Sequence, residues 1–110
     1  MTSLIEDIRQ KIADERYEFS KHAVDQSILR QIQVQEVRET IAKGQVIEHY
    51  PNDKYGPSCL ISGVTQTQRR LHIQCSYPPR PLLKIITLYE PDPQRWNADF
   101  TQRRNRNDEL

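Results

Sequence analysis

Apolar residues near the start of the chain fall at Leu4, Ile5, Ile8 and Ile12, the spacing of one helical face. Ser3 and Glu6 flank that start as a capping box, in which each side chain can bond the other's backbone amide. A first helix to about Asp14 is predicted. Tyr17-Glu18-Phe19 alternates and predicts a short strand. Ser20 then suits the N-cap of a second helix, with Phe19 and Val24 at the spacing of a hydrophobic staple. Val24, Ile28 and Ile32 recur every fourth residue, and the helix is expected to end near Arg30 or Gln31. Val34, Val37 and Ile41 mark a third helix with Gly44 at its C′ position. Gln33 is a weak cap for it.

The period then changes. Val46 to Tyr50 reads as a strand, Pro51 to Pro57 as turn material, and Ser58 to Val64 as a second strand. Thr65 to Arg69 is a polar loop before the alternating run Leu71 to Tyr77. Pro78, Pro79 and Pro81 form a stiff connection that cannot donate ladder hydrogen bonds. Lys84 to Tyr89 is the last strand; it is apolar on both faces, which predicts a central position. Pro91 and Pro93 close it, and Trp96 is expected to fold back onto the domain. Helices followed by strands indicate an α+β fold. The reading is an N-terminal helix over 1–16, one α+β domain over 17–97, and a flexible tail over 98–110.

Alternation in Leu71 to Tyr77 puts Leu71, Ile73, Cys75 and Tyr77 on one face and His72, Gln74 and Ser76 on the other. The apolar set is expected under the helices. The polar set then either lines a shallow groove or is the solvated face of a one-sided sheet.

Composition narrows the class. At 110 residues, 35% hydrophobic and 28% charged, the chain supports one modest core under a solvated surface. No apolar run approaches the length of a membrane span and no signal region opens the chain, so a cytoplasmic protein off the membrane is expected. Net charge is only +1, but residues 66–106 carry eight Lys and Arg against Glu90, Asp92 and Asp99. That asymmetry fits an anionic partner, and equally a solvated surface with a basic tail. A symmetric hairpin about residues 65–70 pairs Cys75 near Leu60 rather than Cys59, so two buried free thiols are expected.

His22, His49 and His72 are far apart and lack metal-ligand spacing, so no metal and no cofactor is expected. His22 lies in the first turn of the second helix, where the macrodipole disfavours the imidazolium. Two roles stand for it, a base and an anchor between helix and sheet, and anchoring is the preferred one. His72 has the better argument for exposure.

The residues resemble the uncharacterised family DUF4258, within the RelE/ParE-like toxin superfamily. The resemblance rests on Phe19-Ser20-Lys21-His22-Ala23, Gly44-Gln45-Val46-Ile47-Glu48, Tyr50-Pro51, Cys59-Leu60-Ile61, Leu71-His72-Ile73 and Ile85-Ile86-Thr87-Leu88-Tyr89-Glu90-Pro91. It covers about residues 17 to 96, with one helix added in front. It implies a RelE-like fold, with N-terminal helices on one face of a curved antiparallel sheet and RNA on the other. The implied reaction is metal-independent RNA cleavage by attack of the 2′-hydroxyl on the adjacent phosphate. That reaction needs a base, an acid and cations on the phosphate. The resemblance matches His72 and His22 to the acid and base. Charge and placement suggest Arg80 and Lys84 for the phosphate, with Arg69, Arg70 and Lys21 as further nucleic-acid contacts. The implied partners are RNA and an antitoxin-like protein. Two other readings stand beside a ribonuclease toxin: a non-catalytic protein- or RNA-binding module on the same fold, and a homodimer in which the first helix covers a second copy.

Overall fold

The computed structural model describes residues 3–54 and 56–104. The elements run α1 (Leu4–Ala13), β1 (Tyr17–Phe19), α2 (Lys21–Leu29), α3 (Val34–Lys43), β2 (Gln45–Tyr50), β3 (Ser58–Val64), β4 (Arg70–Ser76) and β5 (Leu83–Tyr89). Local chemistry explains the helix starts. The Ser3 Oγ accepts from the Glu6 amide at 3.3 Å. Ser20 works in two directions: its Oγ accepts from the Ala23 amide at 3.0 Å and donates to the Ile86 carbonyl at 2.9 Å, which ties the cap of α2 to β5. Gln33, weak by residue type, succeeds because Glu36 completes a capping box by accepting from the Gln33 amide at 2.9 Å.

Gly44 ends α3, but in extended backbone (φ −80°) rather than the left-handed C′ conformation. A Cβ there would lie 2.5 Å from the Thr40 carbonyl oxygen and 2.8 Å from Ile61 Cγ2, so close packing on β3 requires the glycine.

The sheet order is β1-β5-β4-β3-β2, so β5 is flanked on both sides, as its two apolar faces suggest. The sheet is mixed rather than wholly antiparallel. β1 runs parallel to β5, with Glu18 beside Lys84. β5 has β4 on one side, and the three residues of β1 take its other edge just before the chain enters α2. A register shift between Gln74 and Cys75 inserts Ile86 as an extra residue, so that Ile85 and Leu88 both reach the core.

The hairpin register differs by one residue from the symmetric expectation. Thr65 and Arg69 close the loop through a 2.8 Å backbone bond, and Arg70 already belongs to β4. Cys59 therefore stands opposite Cys75, and Leu60 opposite Gln74. The two buried thiols are unbridged, with Sγ atoms 4.0 Å apart.

The core joins Ile8 and Ile12 of α1, Ala23 of α2, and Val37 and Ile41 of α3 to the buried residues of β3, β4 and β5. The apolar stripe of α1 is thus accommodated inside this chain. That of α2 is not: Ala23 is buried, whereas Val24 and Ile28 are exposed despite their helical spacing. Among the described residues, no helix is long and apolar enough to cross a membrane.

Candidate functional site

Period-two alternation sends His72, Gln74 and Ser76 away from the core that holds Leu71, Ile73 and Cys75. The His72 end of this outer face is not open, because residues 91–104 fold over it. After Pro91 and Pro93 the chain turns through a Trp96 amide to Asp92 carbonyl bond of 3.1 Å. It then forms a tight hairpin: Trp96 bridges Arg103, and the Arg104 amide donates to the Arg95 carbonyl at 2.8 Å. The stretch from Ala98 to Arg104, expected within a tail, is folded against the sheet; residues 105–110 lie outside the described residues.

The buried imidazole of His72 is enclosed by this hairpin. The Trp96 ring meets it edge-on at 4.4 Å between centroids. Its Nε2 lies 2.7 Å from the Phe100 carbonyl oxygen. A carbonyl has no proton to give, so Nε2 carries the hydrogen and Nδ1 accepts from the Tyr89 hydroxyl at 3.3 Å. Burial depresses the His72 pKa, and the Arg70 and Arg103 charges add to that effect, against the opposing pull of the Phe100 carbonyl and Glu48. Ser62, directly opposite His72, also donates to the Phe100 carbonyl, at 3.1 Å. The Arg70 guanidinium lies 5.6 Å from the Phe100 ring centroid.

Across the hairpin, Arg103 grips Glu48 with two bonds of 2.8 and 3.2 Å and lies 4.7 Å over the Trp96 ring. The Tyr50 hydroxyl also donates to Glu48. Burial works to raise the Glu48 pKa, but the hydrogen bonds from Arg103 and Tyr50 and the Arg103 charge outweigh it and hold the carboxyl below its usual value. Burial and the neighbouring carboxylate push the Tyr50 phenol upward.

Few of the expected site residues meet. His22 is exposed in the first turn of α2, whose buried Ala23 belongs to the core side, whereas His72 points to the other side of the sheet. Both His72 nitrogens are engaged, and neither by His22. Lys84 pairs with Glu18 at 3.8 Å, and its amide donates to Ser76 at 2.9 Å. Four residues of strand, about 13 Å at extended spacing, separate Ser76 from His72. Arg80 is half-buried in the proline-rich connection before β5. Lys21 is exposed beside His22. Arg69 is bonded into the fold on several sides. It bonds the carbonyls of Arg30 and Gln31 at 2.9 Å, Glu36 at 3.2 Å and Glu90 at 3.0 Å. Arg70 adjoins the His72 cluster, through Phe100. His49 meets the Tyr77 hydroxyl at 2.8 Å.

A cleft of about 930 Å³ lies between α1, α3 and the β3–β4 turn; neither His22 nor His72 lines it, although Ser62 and Arg70 do. Its Arg9 and Arg38 are engaged by backbone carbonyls. Among the described residues, no three His, Cys, Asp or Glu side chains converge to hold a metal ion.

Sequence reasoning passed over Glu48, Tyr50, Tyr89, Phe100 and Arg103. Glu48, Tyr50 and Tyr89 lay within quoted motifs, but alternation gives a residue's face and not its neighbours. The only tryptophan, just beyond the last strand, was the available signal that something returns over the sheet.

The chain matches no curated protein and no solved structure. The model of the domain of unknown function DUF4258 matches residues 19–90, more than half of the chain, and the chain belongs to that family.

Proposed function

We propose that this chain is a non-catalytic protein-binding module on a RelE-like fold, with its helices against one face of a curved sheet. The partner would be held by the apolar residues of α2 and the start of α3. The observation that carries this reading is the exposure of Ile28 (72%) and Leu29 (75%), with Val24 and Val34 exposed nearby. Lys21 and Asp25 share the Val24–Ile28 side of the helix and would form a polar rim. Burying an Ile or Leu side chain contributes about 1.5–3 kcal/mol, so these two could anchor an interface. The partner class is protein, including the antitoxin-like role that the resemblance implies.

The state of His72 supports the same reading. A 2′-hydroxyl cleavage needs a titratable group within reach of the substrate. His72 is buried with both nitrogens engaged by Tyr89 and Phe100, and His22 is exposed on α2.

The test has two arms. Cross-linking in cell extract should retain a partner with the native chain and lose it with Ile28→Asp/Leu29→Asp, the variant keeping its native thermal transition. Metal-free RNA cleavage that disappears in His72→Ala but persists in the α2 variant would overturn the reading in favour of a ribonuclease.

A further inference from the structure

The C-terminal hairpin lies outside residues 19–90, yet the groups it contacts on the sheet (Glu48, Ser62, Arg70 and His72) lie inside them. Its attachment is mostly polar and directional. One carbonyl, that of Phe100, takes bonds from both His72 and Ser62. The ring of the same residue is set against Arg70, and Arg103 forks onto Glu48. Phe100 holds this position at φ +60°, a left-handed conformation that is strained for a bulky side chain and persists where surrounding contacts impose it. The Asn97 and Asp99 side chains brace the turn by accepting from the Thr101 amide at 3.0 and 3.3 Å.

We propose that the outer face of β2, β3 and β4 is a peptide-binding site, and that residues 95–104 occupy it in cis. The ligand class follows from the occupant. It is a peptide whose aromatic residue sets its ring on Arg70 and its carbonyl on His72 and Ser62. An arginine three residues later reaches Glu48. The donors are fixed by the sheet and would serve a partner's segment as they serve the hairpin. An intramolecular occupant competes at an effective concentration in the millimolar range, so a partner peptide binds the intact chain only in the fraction with the hairpin lifted. This site is separate from the α2 face and does not rest on it.

The probe is a fluorescent synthetic peptide with the sequence of residues 95–104. Full-length chain carrying Phe100→Ala, or separately Arg103→Gln, should bind it at least tenfold more tightly than the native chain. The His72 ring signals in the NMR spectrum should return on binding to their positions in the native protein. A peptide with alanine in place of its phenylalanine should lose that binding, and Ile28→Asp should leave it unchanged. Equal binding by native and variant chains overturns the proposal, as does a released His72 that takes no peptide. Selective binding of a single-stranded RNA oligomer in place of the peptide overturns the ligand class. Hydrogen exchange on the native chain decides the matter even where a variant does not fold. Hairpin amides should exchange through an opening that leaves β4 protected; exchange only through global unfolding refutes a displaceable occupant.

Discussion

Arg9 and Arg38 cap each other's helices. Arg9, on α1, donates to the Ile41 and Gly44 carbonyls at the end of α3, at 3.1 and 2.7 Å. Arg38, on α3, returns the contact to the Ile12 carbonyl at the end of α1, at 3.2 Å. Each cation thereby meets the negative end of the opposite helix and adds a donor to the carbonyls there. This reciprocal clamp attaches α1, which lies before the family segment, to α3 within it. Bonds to charged groups contribute about 1.5–3 kcal/mol, so Arg9→Met and Arg38→Met should each lower unfolding stability by about that amount in urea titrations.

Arg69 makes a second prediction, because its contacts fix four segments at once. It joins the α2–α3 turn, the start of α3, the β3–β4 loop and the end of β5. Its two acidic partners should not count equally. Glu36 is 19% exposed and also completes the α3 capping box, whereas Glu90 is 57% exposed. Glu36→Ala should therefore cost about 2 kcal/mol and Glu90→Ala at most about 1. Equal losses in chemical denaturation would show that burial and capping do not set the ranking.

Gly63 supplies a packing test. A Cβ at this position would run into the Thr40 carbonyl oxygen and lie 2.9 Å from Thr40 Cγ2, against a fully buried Thr40. Backbone cannot yield as a flexible side-chain tip can, so Gly63→Ala should cost about 3 kcal/mol. Gly56 offers the contrast. A Cβ there meets nothing within 4 Å, but φ is +89°, so the penalty is conformational alone, about 1–2 kcal/mol. Calorimetric transitions of the two alanine variants should keep that order.

These sites divide by what a linear pattern can carry. Ser20 could be read as a cap because capping acts over three residues, and β5 could be placed centrally because burial on both faces shows in composition. Neighbours across the sheet are harder. One residue in the β3–β4 loop moved Cys75 from Leu60 to Cys59. The role of Arg69 depends on segments up to 39 positions away. His72 was assigned the correct face, but an exposed environment, because the hairpin that covers it has no periodic signature. Its placement rests on Trp96, a Phe100 carbonyl and one Arg103–Glu48 pair, none of which alternation encodes.

The covered His72 gives the last prediction, in pH. Its folded pKa lies below the ordinary histidine value of 6.5, mainly through burial, with Arg70 and Arg103 assisting against Glu48 and the Phe100 carbonyl. The unfolded ring therefore binds a proton at a higher pH than the folded ring. Between the two values the unfolded state holds more protons, so stability rises with pH there. His72 thus contributes fully above about pH 6.5, and its contribution falls as the solution is acidified towards the folded value. Glu48 is also depressed, from 4.5, and its contribution is lost in a separate, more acidic window. Urea midpoints measured from pH 7.5 down to 3 should decline between pH 7.5 and 5 for the native chain and decline less there for His72→Asn, which carries no titrating ring. Glu48→Gln should retain the upper decline and lose the one below pH 4.5. A native profile that is flat between pH 7 and 5 would show that the ring beneath the hairpin accepts its proton without cost.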